Sequence, residues 1–300
     1  MLTFSAIHLP ATRKLSAGIG QLLDTIHWLT CRTALWTLLV ALMSWFAWSW
    51  LVASTMTGDD LIECLQTGDW LTVLIGTRFG HIWLFRVIIS LVLGISLWLP
   101  AQRSGRRSFL QATLAGLSVM ELVSLAGVGH AAAGPGSFGV VHLLGDALHL
   151  LTSAFWPGAL APLAAFLLLL LKSSQVEAIV LAAPVVRRFS ASSLIAVAGM
   201  AFTGLLNSIF LVGSFRALLT SAYGQILVSK VILFFAMIGF GAWNLFLLKP
   251  RIAIALPIVN VAQQKSAVRS LLRNVLWEMG LGTVVILIVG LLGITPPPMR

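Results

Sequence analysis

Charge is what this chain has least of. Only 9% of its 300 residues are Asp, Glu, Lys or Arg, while 59% are hydrophobic; a soluble domain carries about a quarter charged residues. With a mean hydropathy of +1.00, the chain is an integral membrane protein, and its length ceases to be a guide to domain number. Cysteine is nearly absent. Cys31 and Cys64 stand far apart with no CxxC spacing, so neither a disulfide framework nor a thiolate metal centre is indicated. The chain also lacks a GxxxxGKS/T phosphate loop, an HExxH zinc pair and a GxSxG elbow. ATP hydrolysis, zinc proteolysis and serine hydrolysis therefore have no carrier, and the protein is not expected to be an enzyme. The first thirty residues contain no continuous apolar run of the kind a cleavable signal peptide needs.

What is present is apolar length. Windows of about 20 apolar residues occur over roughly 33–54, 81–100, 109–130, 141–171, 190–213, 224–248 and 274–294. The expected fold is an all-α polytopic bundle of seven transmembrane helices over 33–295, with residues 296–300 as a tail. Residues 1–32 are expected as a cytoplasmic arm, or as an interfacial helix centred on Leu22 to Trp28. The fourth run is long enough to tilt or break. No internal repeat is apparent.

The net charge of +10 would suggest nucleic acid in a soluble protein. Here the positive residues gather in alternate loops: Arg13, Lys14 and Arg32; Arg103, Arg106 and Arg107; Lys172, Arg187 and Arg188; then Lys249, Arg251, Lys265, Arg269 and Arg273. The opposite loops hold Asp59, Asp60, Glu63 and Asp69 against Arg78, Arg216 and Arg300. That asymmetry places the N-terminus in the cytoplasm and the C-terminus outside. The partner is a lipid bilayer rather than a nucleic acid.

The chemistry is concentrated at one edge. Gly129-His130 closes the third run, and His142-Leu-Leu-Gly-Asp146-Ala-Leu-His149 opens the fourth. Ionisable groups inside a membrane are costly and mark ion paths or cofactors by default. The small, turn-rich connection makes the two helices antiparallel neighbours, so all three histidines belong to the outer half. His142, Asp146 and His149 step by i,i+4 and i,i+3 and share a helix face. His142 and His149 are about 10 Å apart along the axis. Either Asp146 pairs with one histidine while His130 completes a site from the next helix, or the residues form two successive sites. A ladder of weak sites suits permeation; interhelical hydrogen bonding is the plain structural alternative. Imidazole and carboxylate suit first-row metals, and imidazole also suits Cu(I). Asp146 could instead orient a histidine through its other nitrogen.

Other polar residues are candidate pathway or charge partners: His81 and Arg86 in the second run, Glu121 in the third, Asn207 in the fifth and Lys230 in the sixth. Arg86 or Lys230 is placed to neutralise Asp146 or to snorkel. Glu121, near the middle of its run, has no evident partner, which leaves a protonated carboxyl or a proton relay. Glu278 lies near the cytoplasmic end of the last run.

The segments Arg78-Phe-Gly-His-Ile-Trp-Leu-Phe-Arg86, Ala126-Gly-Val-Gly-His130, His142 to His149 with Trp156-Pro-Gly, Tyr223-Gly-Gln-Ile-Leu-Val-Ser-Lys230 and Trp277-Glu278 occur in the order seen in one family. Over roughly residues 70–295 the chain resembles the copper resistance protein D family of bacterial inner-membrane proteins. The resemblance implies copper as the metal, a periplasmic copper carrier of the C type as partner, and movement of copper toward the cytoplasm. It makes His130, His142 and His149 copper ligands, with Asp146 as ligand or orienter. The family usually begins with a further histidine-bearing helix, whose counterpart here, His8 to His27, is too polar for a span. The glycine pair usual after the tryptophan reads Pro157-Gly158. Two other functions use the same side chains: a haem protein with His130 and His149 as axial ligands, and a copper-handling membrane partner that does not transport.

Overall fold

The computed structural model describes residues 17–98, 104–128, 136–173, 179, 181–254 and 261–298. Among these there is no strand. The chain runs α1 (Ala17–Thr57), α2 (Leu61–Gln66), α3 (Asp69–Gly76), α4 (Arg78–Trp98), α5 (Ser104–Ala126), α6 (Gly136–Lys172), α7 (Ala182–Leu211), α8 (Phe215–Thr220) and α9 (Ala222–Trp243). A π turn (Asn244–Leu248) leads directly into α10 (Lys249–Ile254), and α11 (Val261–Ile294) follows. Seven of the described helices are long and apolar enough to cross a membrane, one for each apolar run.

The ends differ from the runs for identifiable reasons. Residues 17–32 continue into the first span as one 41-residue helix. Helix α6 carries Pro157 and Pro162 in its interior without interruption, since neighbouring groups in a membrane bundle can satisfy a freed carbonyl. The connections α1–α4 and α7–α9 contain short helices with polar caps. The Asp60 carboxylate accepts the N–H groups of Ile62 at 2.9 Å and Glu63 at 2.8 Å, and the Ser214 hydroxyl accepts that of Ala217 at 3.1 Å. These bonds satisfy donors that a helix start leaves open.

The chain divides into two compact units. The N-terminal unit is Leu29–Ala147; the C-terminal unit is Leu148–Arg300 together with residues up to Trp28. The N-terminal unit packs Ala53, Cys64 and Val73 in one core and Ile89, Leu93 and Leu114 in another. In the C-terminal unit, Phe166, Leu167, Val185, Val268 and Leu271 build the largest core, which also buries Ile26 of α1. A second cluster centres on Trp156, Ala196 and Met237.

Each unit contains the same local module, a repeat that the sequence pattern alone did not reveal. It reads Thr77-Arg-Phe-Gly-His-Ile82 in one and Ser221-Ala-Tyr-Gly-Gln-Ile226 in the other. A short helix ends at a hydroxyl residue whose oxygen accepts the N–H of the glycine three positions on, at 3.0 Å in both. The hydroxyl donates four residues back, at 2.7 Å from Thr77 to Val73 and 2.6 Å from Ser221 to Ala217. The residue after the glycine reaches six residues back: His81 Nε2 lies 2.7 Å from the Ile75 carbonyl oxygen, and Gln225 Nε2 lies 3.2 Å from that of Leu219. The glycines are obligatory, because a Cβ at Gly80 would stand 2.1 Å from the Leu74 carbonyl oxygen and one at Gly224 would stand 2.3 Å from that of Leu218. Six residues beyond each glycine comes a cation, Arg86 or Lys230.

Candidate functional site

In the N-terminal unit, Arg86 is 3% exposed, and apolar helices cannot hold a guanidinium there unless its donors are met. They are met by α5. Nη2 lies 2.8 Å from Glu121 Oε1, while Nη1 donates to the Glu121 carbonyl at 2.6 Å and to Ser124 Oγ at 2.7 Å. The guanidinium carbon stands 4.1 Å from the centre of the Trp45 ring, a cation–π contact from α1. Trp45 is held edge-on by Trp83 at 5.7 Å.

Glu121 therefore has a partner, contrary to the sequence reading. The apolar run suggested a helix to residue 130 with Glu121 at its middle, but α5 ends at Ala126, which brings Glu121 to the depth of Arg86. By the same token, the bonds of Arg86 go to Glu121 and Ser124 rather than to Asp146.

His142 is buried and Asp146 half-buried, both on the stretch of α6 within the N-terminal unit. A cavity of ≈ 400 Å³ lies in this unit between α4, α5 and α6, lined by His81, Phe85, Ser124, Gly127 and Leu144 among others. Its described walls are apolar apart from His81 and Ser124. Because a carbonyl oxygen only accepts, the His81 contact with Ile75 places the imidazole proton on Nε2.

His149 belongs to the C-terminal unit. Its Nδ1 lies 3.0 Å from Thr203 Oγ1 on α7. The Thr203 hydroxyl gives its own hydrogen to the Gly199 carbonyl at 2.7 Å. The oxygen is thus left to accept from Nδ1–H, and Nε2 keeps its lone pair for a ligand. That is how histidine ligands are oriented at metal sites. The ring also lies against bare backbone, since a Cβ at Gly204 would meet His149 Cε1 at 3.4 Å. The Lys230 ammonium on α9 is within electrostatic reach of the imidazole. Asn207 follows on α7, one turn beyond Thr203; it is half-buried.

His130 lies outside the described residues. Among those described, no three His, Cys, Asp or Glu side chains gather as a metal-binding group; His142, Asp146 and His149 are successive positions on α6 rather than one chelate. The sequence reading did not single out Trp45, Ser124 or Thr203. Small hydroxyl residues and tryptophans are common in membrane helices, and nothing in their spacing distinguishes these three. It also passed over Asn244 and Asn274, which form a chain with Glu278. Asn274 Nδ2 donates to Asn244 Oδ1 at 2.9 Å, and Asn244 Nδ2 donates to Glu278 Oε1 at 2.6 Å.

These features describe a helical multi-pass membrane protein that keeps an oriented imidazole among its helices. Two family models match the chain: copper resistance protein D over residues 183–292, and the copper resistance protein D-like N-terminal domain over residues 2–140. The inner membrane protein YebZ of Escherichia coli (strain K12) is 30% identical over 200 residues, covering 67% of this chain and 65% of its own length. Copper resistance protein D of Pseudomonas syringae pv. tomato is 28% identical over 255 residues, 83% of this chain and 78% of its own. The copper transport protein CutJ of Bacillus subtilis (strain 168) is 35% identical over 187 residues, 62% of this chain and 34% of its own. No solved structure matches. The chain belongs to the copper resistance protein D family, which is named for copper resistance and not for an enzymatic reaction.

Proposed function

We propose that this protein is a multi-pass protein of the bacterial inner membrane that moves copper across it, from periplasm to cytoplasm. In this reading the N-terminus is cytoplasmic, residues 33–295 form the membrane bundle and residues 296–300 a periplasmic tail. Copper is the cargo. It arrives from a periplasmic carrier of the C type, meets His130 and His142 near the outer surface, with Asp146 as ligand or orienter, and passes to His149. His81, Arg86, Glu121, Asn207 and Lys230 shape the field along the way.

The observation that carries the reading is the His149–Thr203 contact, because it leaves Nε2 of a membrane-embedded imidazole available to a soft cation. Ligands strung along α6, with no three-ligand group among the described residues, suit a cargo that must leave as readily as it enters. The names of the relatives support copper, and that of the inner membrane protein YebZ supports the inner membrane.

The test is metal analysis with an absorption spectrum on detergent-purified protein, wild type beside a His130/His142/His149 triple alanine variant. Copper retained by the wild type and lost from the variant, with no Soret band, is the expected result. Sealed-vesicle uptake of isotopic copper then separates transport from copper handling without passage. A Soret band without copper would transfer the histidines to haem.

A further inference from the structure

The proposed copper route makes no use of the most deeply buried acid described in the chain. Glu278 is 2% exposed and Asn274 8%, one turn apart on the same face of α11. Asn244 faces them from the first residue of the π turn (Asn244–Leu248). Their chain neighbours Leu248, Leu271 and Val275 are buried in the largest core of this unit, with Met279 packed against it.

No opposite charge answers this carboxyl among the described residues. Its own helix carries Lys265, Arg269 and Arg273; α10 brings Lys249 and Arg251; α7 brings Arg187 and Arg188. Helix α6 ends in Lys172, and α1 bears Asp24 and His27. None of these forms an ion pair with Glu278, and Asn244 is its one hydrogen-bonding partner. Glu121 on α5, by contrast, stands 2.8 Å from Arg86. The contrast matters because an ionised carboxylate buried without a cation is far costlier than one that can be neutralised. A proton is the smallest ligand that neutralises it.

We propose that Glu278, Asn244 and Asn274 form a proton-binding site in the C-terminal unit, in which the carboxyl takes up and releases a proton and the two amides turn with it. The described bonds run in one direction, Asn274 to Asn244 to Glu278, which suits a carboxylate that only accepts. On protonation an O–H bond forms at a carboxylate oxygen, with the proton delivered from water. That O–H then donates to Asn244 Oδ1. The Asn244 amide must rotate half a turn about its terminal torsion, so its Nδ2 now donates to Asn274 Oδ1, and the Asn274 amide reverses likewise. Release returns the proton to water and restores the original direction. Nothing is oxidised or reduced, and the Glu278–Asn244 and Asn244–Asn274 bonds are both kept, each with its direction reversed. The site sits where α9 departs from α-helical bonding, the Lys249 N–H reaching back to the Asn244 carbonyl. Such π turns recur at functional positions.

The experiment is infrared difference spectroscopy over a pH series on the full chain in detergent, with no copper present, so that its result is independent of the copper reading. Wild type, E278Q and N274L are compared. The expected result is a protonated-carboxyl stretch that rises on acidification, vanishes in E278Q and persists in N274L with its midpoint moved by about one pH unit. A band that survives in E278Q, or the absence of any pH-dependent band that E278Q removes, overturns the proposal. Should E278Q not purify as a folded protein, N274L decides alone: a midpoint identical to wild type overturns it, and a moved midpoint supports it.

Discussion

The module around Gly80 and the module around Gly224 share backbone, cap and cation position, yet their polar surroundings differ. In the first, the cation is Arg86, closed off by a carboxylate, a hydroxyl, a carbonyl and an indole. In the second, the cation is Lys230, whose charge bears on an imidazole, His149, that is fixed by Thr203. One scaffold thus serves two ends. The N-terminal unit neutralises its buried charge within itself, and the C-terminal unit holds a ligand-capable nitrogen beside a fixed positive charge.

The largest expected effect comes from opening the closed arrangement. Glu121→Leu leaves Arg86 buried with its charge uncompensated, which should cost about 3–5 kcal/mol and lower the thermal unfolding temperature in detergent. The double variant Glu121→Leu with Arg86→Met should recover most of that loss, and Lys230→Met, at a half-buried position, should cost less than the single change. If Glu121→Leu is no less stable than the double variant, the ion pair does not distinguish the two units.

Next come the glycines. Gly80→Ala and Gly224→Ala each force a methyl into a backbone carbonyl, at about 3 kcal/mol apiece. Gly290→Ala, with nothing within 4 Å of its Cβ position, should be neutral or slightly stabilising by the same unfolding measurement. Unequal losses at Gly80 and Gly224 would show that the two modules are alike in outline only.

Trp45→Leu removes the ring over Arg86 and should cost about 2 kcal/mol, with no change in copper retention. A smaller loss than at Trp45, about 1 kcal/mol, is expected for Thr203→Val. Its copper retention, measured by competition with a chelator, should nonetheless fall about tenfold, because the His149 ring loses the acceptor that sets its tautomer. Unchanged retention would mean that the Thr203 contact does not serve a metal.

Much of this was legible in the chain. Seven apolar runs became seven helices because hydrocarbon tolerates little else, and the spacing of His142, Asp146 and His149 fixed their common helix. The short helices α2, α3 and α8 were not legible, since six to eight residues carry no measurable period. The Arg86–Glu121 pair was within reach. An error of four residues in the end of α5 hid it, and a span ending at Ala126 would have put the two charges at one depth. The repeat was written out twice, as Thr77-Arg-Phe-Gly-His-Ile and Ser221-Ala-Tyr-Gly-Gln-Ile, but its hydroxyl and aromatic positions match only in kind. The Asn244–Asn274–Glu278 chain could not be read at all, because its members are 30 and 34 residues apart and meet only through the packing of two helices.

Helix α1 has a consequence for how the protein is made. Its 41 residues extend about 60 Å, twice the thickness of a hydrocarbon layer. Ile26, near its start, is buried in a core whose other walls extend as far as Val275. Those walls leave the ribosome on the order of ten seconds or more after Ile26 does. Helix α1 is therefore made before the core that buries Ile26 exists, and its packing is completed only when α11 arrives.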